Sequence, residues 1–113
     1  MILSDVCGHC INWNDADLIA IRCKLIRENN KAKDPLSIFL DKVIYECYIK
    51  NNNKLTIKEC KKIKGRLNTI IKKWTKSKIK NTVKEFIELL ERCINNRRCL
   101  YIYRNDKQLK LVV

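Results

Sequence analysis

The stretch Thr56–Trp74, TIKECKKIKGRLNTIIKKW, decides the fold. Thr56-Ile57-Lys58-Glu59 has the spacing of a capping box, in which threonine and glutamate satisfy the first free N–H groups of a helix. Cys60, Ile63, Leu67, Ile70, Ile71 and Trp74 then recur at helical spacing and share one face. The pattern predicts a helix from this box to about Lys76. Lys58, Lys61, Lys62, Lys64, Arg66, Lys72, Lys73 and Lys76 lie mainly off that stripe. Such a helix docks on a core by one face and presents cations on the other. Gly65 also lies off the stripe and costs roughly 1 kcal/mol of helix propensity.

The charge extends through Lys78, Lys80 and Lys84. Between Lys54 and Lys84 the chain carries 12 basic residues and one acid, Glu59, a net +11 out of a formal +13. The rest is nearly balanced. A charge run is usually a solvated coat, but a mixed coat needs acids, and here they are missing. A polyanion, most economically nucleic acid, is the partner this focused charge implies. Eleven of the 12 basic residues are lysine, which suits phosphate as a point charge, whereas bidentate base readout uses arginine. The expected contacts are Lys58, Lys61, Lys62, Arg66, Lys72, Lys73, Lys76, Lys78 and Lys80 on the RNA or DNA phosphate backbone. Arg97 and Arg98, near Tyr101 and Tyr103, form a smaller second cluster. Trp74 is expected in the core, and Trp13 is the better candidate for base stacking.

Working outward, the chain reads as one mainly α domain over residues 1–113, with a cysteine knuckle at 1–13, helices through 14–96 and a β hairpin at 97–113. Few glycines and one proline favour long helices. A first helix, capped by Asn14 or Asp15, runs to about Glu28 with Leu18, Ile19, Ile21, Leu25 and Ile26 inward. Asp34-Pro35 starts a second, expected to reach about Lys50 with Leu36, Phe39, Leu40, Val43, Ile44 and Cys47 inward. A second capping box, Thr82 to Glu85, opens a fourth helix ending near Asn95-Asn96, with Val83, Phe86, Ile87, Leu90 and Ile94 as its stripe. Cys99–Tyr103 and Gln108–Val113 flank Asn105-Asp106 as a hairpin. A lone hairpin must pack on the helices or pair with another chain, and the second course makes a homodimer.

No apolar run is long enough to span a bilayer, and Met1–Cys10 lacks the pattern of a signal peptide. The expectation is an intracellular, cytoplasmic protein with reduced cysteines. Lys72–Lys80 can also serve as a nuclear or nucleolar address. The abundance of lysine, isoleucine and asparagine points to an AT-rich coding sequence, as in some viruses and parasites.

Cys7-Gly8-His9-Cys10 has the C-x-x-C spacing by which one tight turn supplies two zinc ligands. Cys93 and Cys99 are the completing pair, with His9 as an alternative ligand. One zinc ion per chain would staple the N-terminus to the hairpin. Cys23, Cys47 and Cys60 fit helical stripes and are expected to be small core residues, and Cys93 fits a stripe as well as a ligand set. The same motif occurs in thiol oxidoreductases. Their first thiol needs a helix N-terminus behind a strand, which this start does not supply, so the reading is non-enzymatic.

With Cys7, His9 and Cys10 beside the lysines from Lys58 to Lys80, the chain resembles small, basic, cysteine-rich proteins of plant RNA viruses. The resemblance is one of size and organisation. It implies zinc binding, RNA binding and suppression of silencing. The compact cysteine finger beside an arginine cluster found in such proteins is absent. The alternative is an α-helical viral factor that binds and blocks a host regulatory protein.

Overall fold

The structure, a computed structural model, describes residues 1–42 and 52–103. The expected end of the second helix, with Val43, Ile44 and Cys47, and the second arm of the hairpin lie outside the described residues. The elements run β1 (Ile2–Ser4), β2 (Cys10–Asn12), α1 (Asp15–Glu28), α2 (Pro35–Leu40), β3 (Asn52–Leu55), α3 (Ile57–Ile71), α4 (Lys78–Asn95) and β4 (Leu100–Tyr103). The described residues therefore form four helices and a small antiparallel sheet. No helix among the described residues is long and apolar enough to cross a membrane.

The sheet has the order β2-β1-β4-β3. Leu3 pairs with Ile11 on one side and Ile102 on the other, and Leu55 pairs with Leu100. Side chains alternate across a strand, so these five share one face. That face joins the helical stripes in a single apolar cluster. The first arm of the expected hairpin is the inner strand β4, with β1 on one edge and β3 on the other. The N-terminus, read as a cysteine knuckle, is a hairpin of β1 and β2 whose turn carries Cys7-Gly8-His9.

Helix starts follow local chemistry. Asn14 caps α1 by accepting from Asp17 N–H at 2.8 Å, and Asp34 caps α2 from Leu36 N–H at 3.0 Å. The Thr56/Glu59 box forms as expected, at 3.2 and 3.0 Å. The second box does not form. α4 starts earlier, with Ser77 accepting from Lys80 N–H at 3.2 Å. Thr82 is then interior, and its hydroxyl bonds back to the Lys78 carbonyl at 2.8 Å. α3 ends at Ile71, short of Lys76, and Trp74 packs just beyond it in the core.

Two further expectations are corrected at α1. Ile19 and Ile26 are 60% and 48% exposed, and Cys23 between them is also exposed. The buried face is Leu18, Ile21 and Leu25. Apolar residues lie all round this helix, so spacing alone did not select the inner side.

Candidate functional site

α3 is held to the core by Cys60, Ile63, Leu67, Ile70 and Ile71, all buried. A helix anchored along one stripe turns the opposite side to solvent. Lys58, Lys61 and Lys62 are exposed there, and Lys72, Lys73 and Lys76 are exposed at its C-terminal end and in the turn that follows. None of the six has an ion pair among the described residues. The acid in the segment, Glu59, does not offset them. Lys42 Nζ donates to it at 2.8 Å. Burial raises the Glu59 carboxyl, but the bonds from Lys42 and from the Thr56 N–H prevail and hold it below the usual glutamate range.

The other expected contacts are committed elsewhere. Arg66 is turned inward to Asp34 at 3.0 Å and to the Glu28 carbonyl at 2.7 Å, so it serves the fold. Lys80 Nζ donates to the Trp74 carbonyl at 2.9 Å and is half-buried. Lys64 reaches Glu91 at 3.5 Å. Lys78 stands 3.7 Å from Asp17 but remains largely exposed, a pair of little energetic weight.

Arg97 and Arg98 are exposed at the end of α4. Arg98 N–H bonds Cys93 O at 2.8 Å and Arg97 N–H bonds Ile94 O at 3.2 Å, the pattern of a Schellman cap. Arg97 has φ of 54°, in the left-handed region where glycine is usual.

Trp13 is not a stacking platform. It is 1% exposed and packs edge-on against Phe39 and Phe86, at 6.2 and 5.4 Å between ring centres. Trp74 is buried as expected, with Lys24 Nζ 5.1 Å from its ring centre. Tyr101 and Tyr103 are half-buried on β4.

The cysteine knuckle is organised by Asp5, a residue the sequence reading missed. Its buried carboxylate accepts from the N–H groups of Cys7 and His9 at 2.8 and 3.1 Å, and its second oxygen lies 3.0 Å from His9 Nδ1. A lone aspartate before a cysteine gave no signal of this role. Cys7 and Cys10 are exposed, and Cys10 sits on β2 opposite Ser4. Neither thiol stands at a helix N-terminus, the position that activates an oxidoreductase cysteine. Cys93 is buried on α4 and Cys99 is partly buried. Among the described residues, no three His, Cys, Asp or Glu side chains are grouped so as to hold a metal. The expected four-cysteine set is thus not assembled in this structure. His9 and Cys10 instead share an open groove with Glu85, Glu88 and Arg92.

Comparisons of the chain with protein-family models, with curated proteins and with solved structures find no match.

Proposed function

We propose that this chain is a nucleic-acid-binding regulatory protein of low sequence specificity, and that its contact surface is the outward side of α3 with the turn into α4. The observation that carries the reading is the set of six exposed lysines without ion pairs among the described residues. Lys58, Lys61 and Lys62 stand on a helix fixed in the core by its other side, and Lys72, Lys73 and Lys76 stand on the turn that follows it. RNA as the polymer, and silencing suppression as the setting, rest on the resemblance to plant-virus proteins.

A salt titration tests this. Neutralising about six phosphates lowers affinity about a thousandfold between roughly 50 and 200 mM salt through counterion release. Changing Lys58, Lys61, Lys62, Lys72, Lys73 and Lys76 to glutamine should abolish most binding at moderate salt and keep the helical signal. Unchanged affinity in that variant rejects the surface.

Zinc on Cys7 and Cys10 is a separate part of the proposal. Two exposed thiols at C-x-x-C spacing support it; His9, whose Nδ1 faces Asp5, is not grouped with both of them in this structure. A second functional reading, docking on a host protein, is favoured by one feature. Ile19, Cys23 and Ile26 form an exposed line along α1, with Arg22 and Arg27 exposed beside it.

A further inference from the structure

The form of the polymer follows from how the lysines are grouped; this step rests on the nucleic-acid reading above. Lys58, Lys61 and Lys62 lie at the start of α3, and Lys72, Lys73 and Lys76 lie at and just beyond its end. The outward side between them carries Gly65, the half-buried Asn68 and Thr69, none of them charged. The two cations in this interval, Lys64 and Arg66, are paired with Glu91 and Asp34. The free charge therefore forms two groups with a neutral waist.

At 1.5 Å of rise per residue, Lys61 and Lys72 are about 16 Å apart along the axis. A double helix presents two rows of phosphate separated by a groove, roughly 12 Å wide for the B-form major groove. Lysines spaced this way reach both banks when the helix lies across the groove. The waist would then face the groove floor. A Cβ built at Gly65 meets nothing within 4 Å, and the Thr69 hydroxyl is folded back onto the Gly65 carbonyl at 3.1 Å. Nothing there holds the duplex off.

A single strand offers one row of phosphates, and its binding proteins usually add aromatic side chains on which bases stack. Among the described residues every Trp, Phe and Tyr is buried or half-buried. We propose that α3 grips double-stranded nucleic acid, one lysine group on each phosphate row, in preference to single strands.

The test titrates the full chain with a short labelled RNA duplex, the DNA duplex of the same sequence and the corresponding single strand, at several salt concentrations. At least one duplex should bind about tenfold more tightly than the single strand, a difference of about 1.4 kcal/mol, and the RNA and DNA arms identify which. Lys61→Gln with Lys62→Gln, or Lys72→Gln with Lys73→Gln, should each reduce the salt slope on the duplex by about 2. Gly65→Phe fills the waist at a site with open space around it. It should weaken duplex binding without weakening the single strand, whose bases can stack on the added ring, while Gly65→Ala should bind the duplex nearly as before. Circular dichroism on each variant establishes that it is folded. Equal or tighter binding of the single strand overturns the duplex inference and leaves nucleic-acid binding standing. A duplex preference indifferent to Gly65→Phe and to both lysine pairs overturns the placement on α3. Failure to bind any of the three at low salt overturns the inference together with the reading beneath it.

Discussion

Arg66 Nε lies 3.2 and 3.0 Å from the two carboxylate oxygens of Asp34, and its Nη2 donates to the Glu28 carbonyl at 2.7 Å. Asp34 also caps α2 through Leu36 N–H and accepts from Asn30 N–H at 3.5 Å. One guanidinium thus joins the end of α1, the start of α2 and the middle of α3. The basic helix is oriented by the one arginine in its charged run. The cation that the sequence reading assigned to a ligand instead fixes the helix that carries Lys58, Lys61 and Lys62.

Arg66→Gln should therefore destabilise the protein, by about 3 kcal/mol, because it leaves a buried carboxylate without its charged partner. Arg66→Lys should restore only part of the loss, since an ammonium lacks the planar guanidinium fork that meets both Asp34 oxygens and the Glu28 carbonyl. Urea denaturation measures both. In the fraction that stays folded, nucleic-acid affinity should change little. A large loss of affinity at unchanged stability would return Arg66 to the binding surface.

The same pair sets an acid limit on stability. Burial raises the Asp34 carboxyl, but the Leu36 N–H, Arg66 and Asn30 N–H outweigh it and hold it below the ordinary value. A carboxylate depressed in the folded state contributes its full stability above its unfolded pKa, about 3.9. That contribution is lost as pH falls through the lower folded value. Glu59, also held low, acts with the same sign. The urea midpoint should be flat near neutrality and fall below about pH 4, and the gap between wild type and Arg66→Gln should narrow over that interval. A gap that is constant down to the acid limit would mean that Asp34 is not depressed by this contact.

Arg97 occupies the left-handed position of the Schellman cap, where a residue with Cβ costs about 1 kcal/mol relative to glycine. Arg97→Gly should raise stability by about that amount. If Arg97 is a phosphate contact, the same variant binds nucleic acid more weakly and shows a salt slope smaller by about 1. A gain in stability with no change in slope would make Arg97 a residue of the cap alone.

What was legible in the sequence was mostly local. Thr56 and Glu59 are three residues apart and form their box; Asp34-Pro35 starts α2; and the stripes of α3 and α4 are buried nearly as read. What was missed depends on distant partners. β1 and β2 are three residues each, and β1 takes its pairing with β4 from the far end of the chain, so no window of sequence shows it. β3 begins in Asn52-Asn53, residues that locally argue for a break and pair only because β4 is present. At the site, the sequence located the lysines but not their pairing. Lys61 and Lys64 look alike in a helical pattern until Glu91 is placed beside one of them. Trp13, flanked by polar residues, gave no hint that Phe39 and Phe86 close around it.

The cysteines occupy sharply different environments. Cys7, Cys10 and Cys23 are exposed. Burial pushes the Cys60 thiol up to about 12 and Cys93 up to about 11, with neighbouring negative groups adding to each. The thiolate is the reactive species, so these two should resist a thiol reagent until the protein unfolds. Peptide mapping after brief alkylation of the reduced, metal-free native protein should find Cys7, Cys10 and Cys23 modified and Cys60 and Cys93 intact. The same measurement tests zinc. If Cys7 and Cys10 hold the ion, protein loaded with about one zinc per chain should protect both thiols. A chelator should release that protection, and Cys23 should alkylate equally in either state. Cys7→Ser or Cys10→Ser should then lose the metal. Identical alkylation of Cys7, Cys10 and Cys23 with and without zinc would remove the metal from the proposal and leave the loop as a turn held by Asp5.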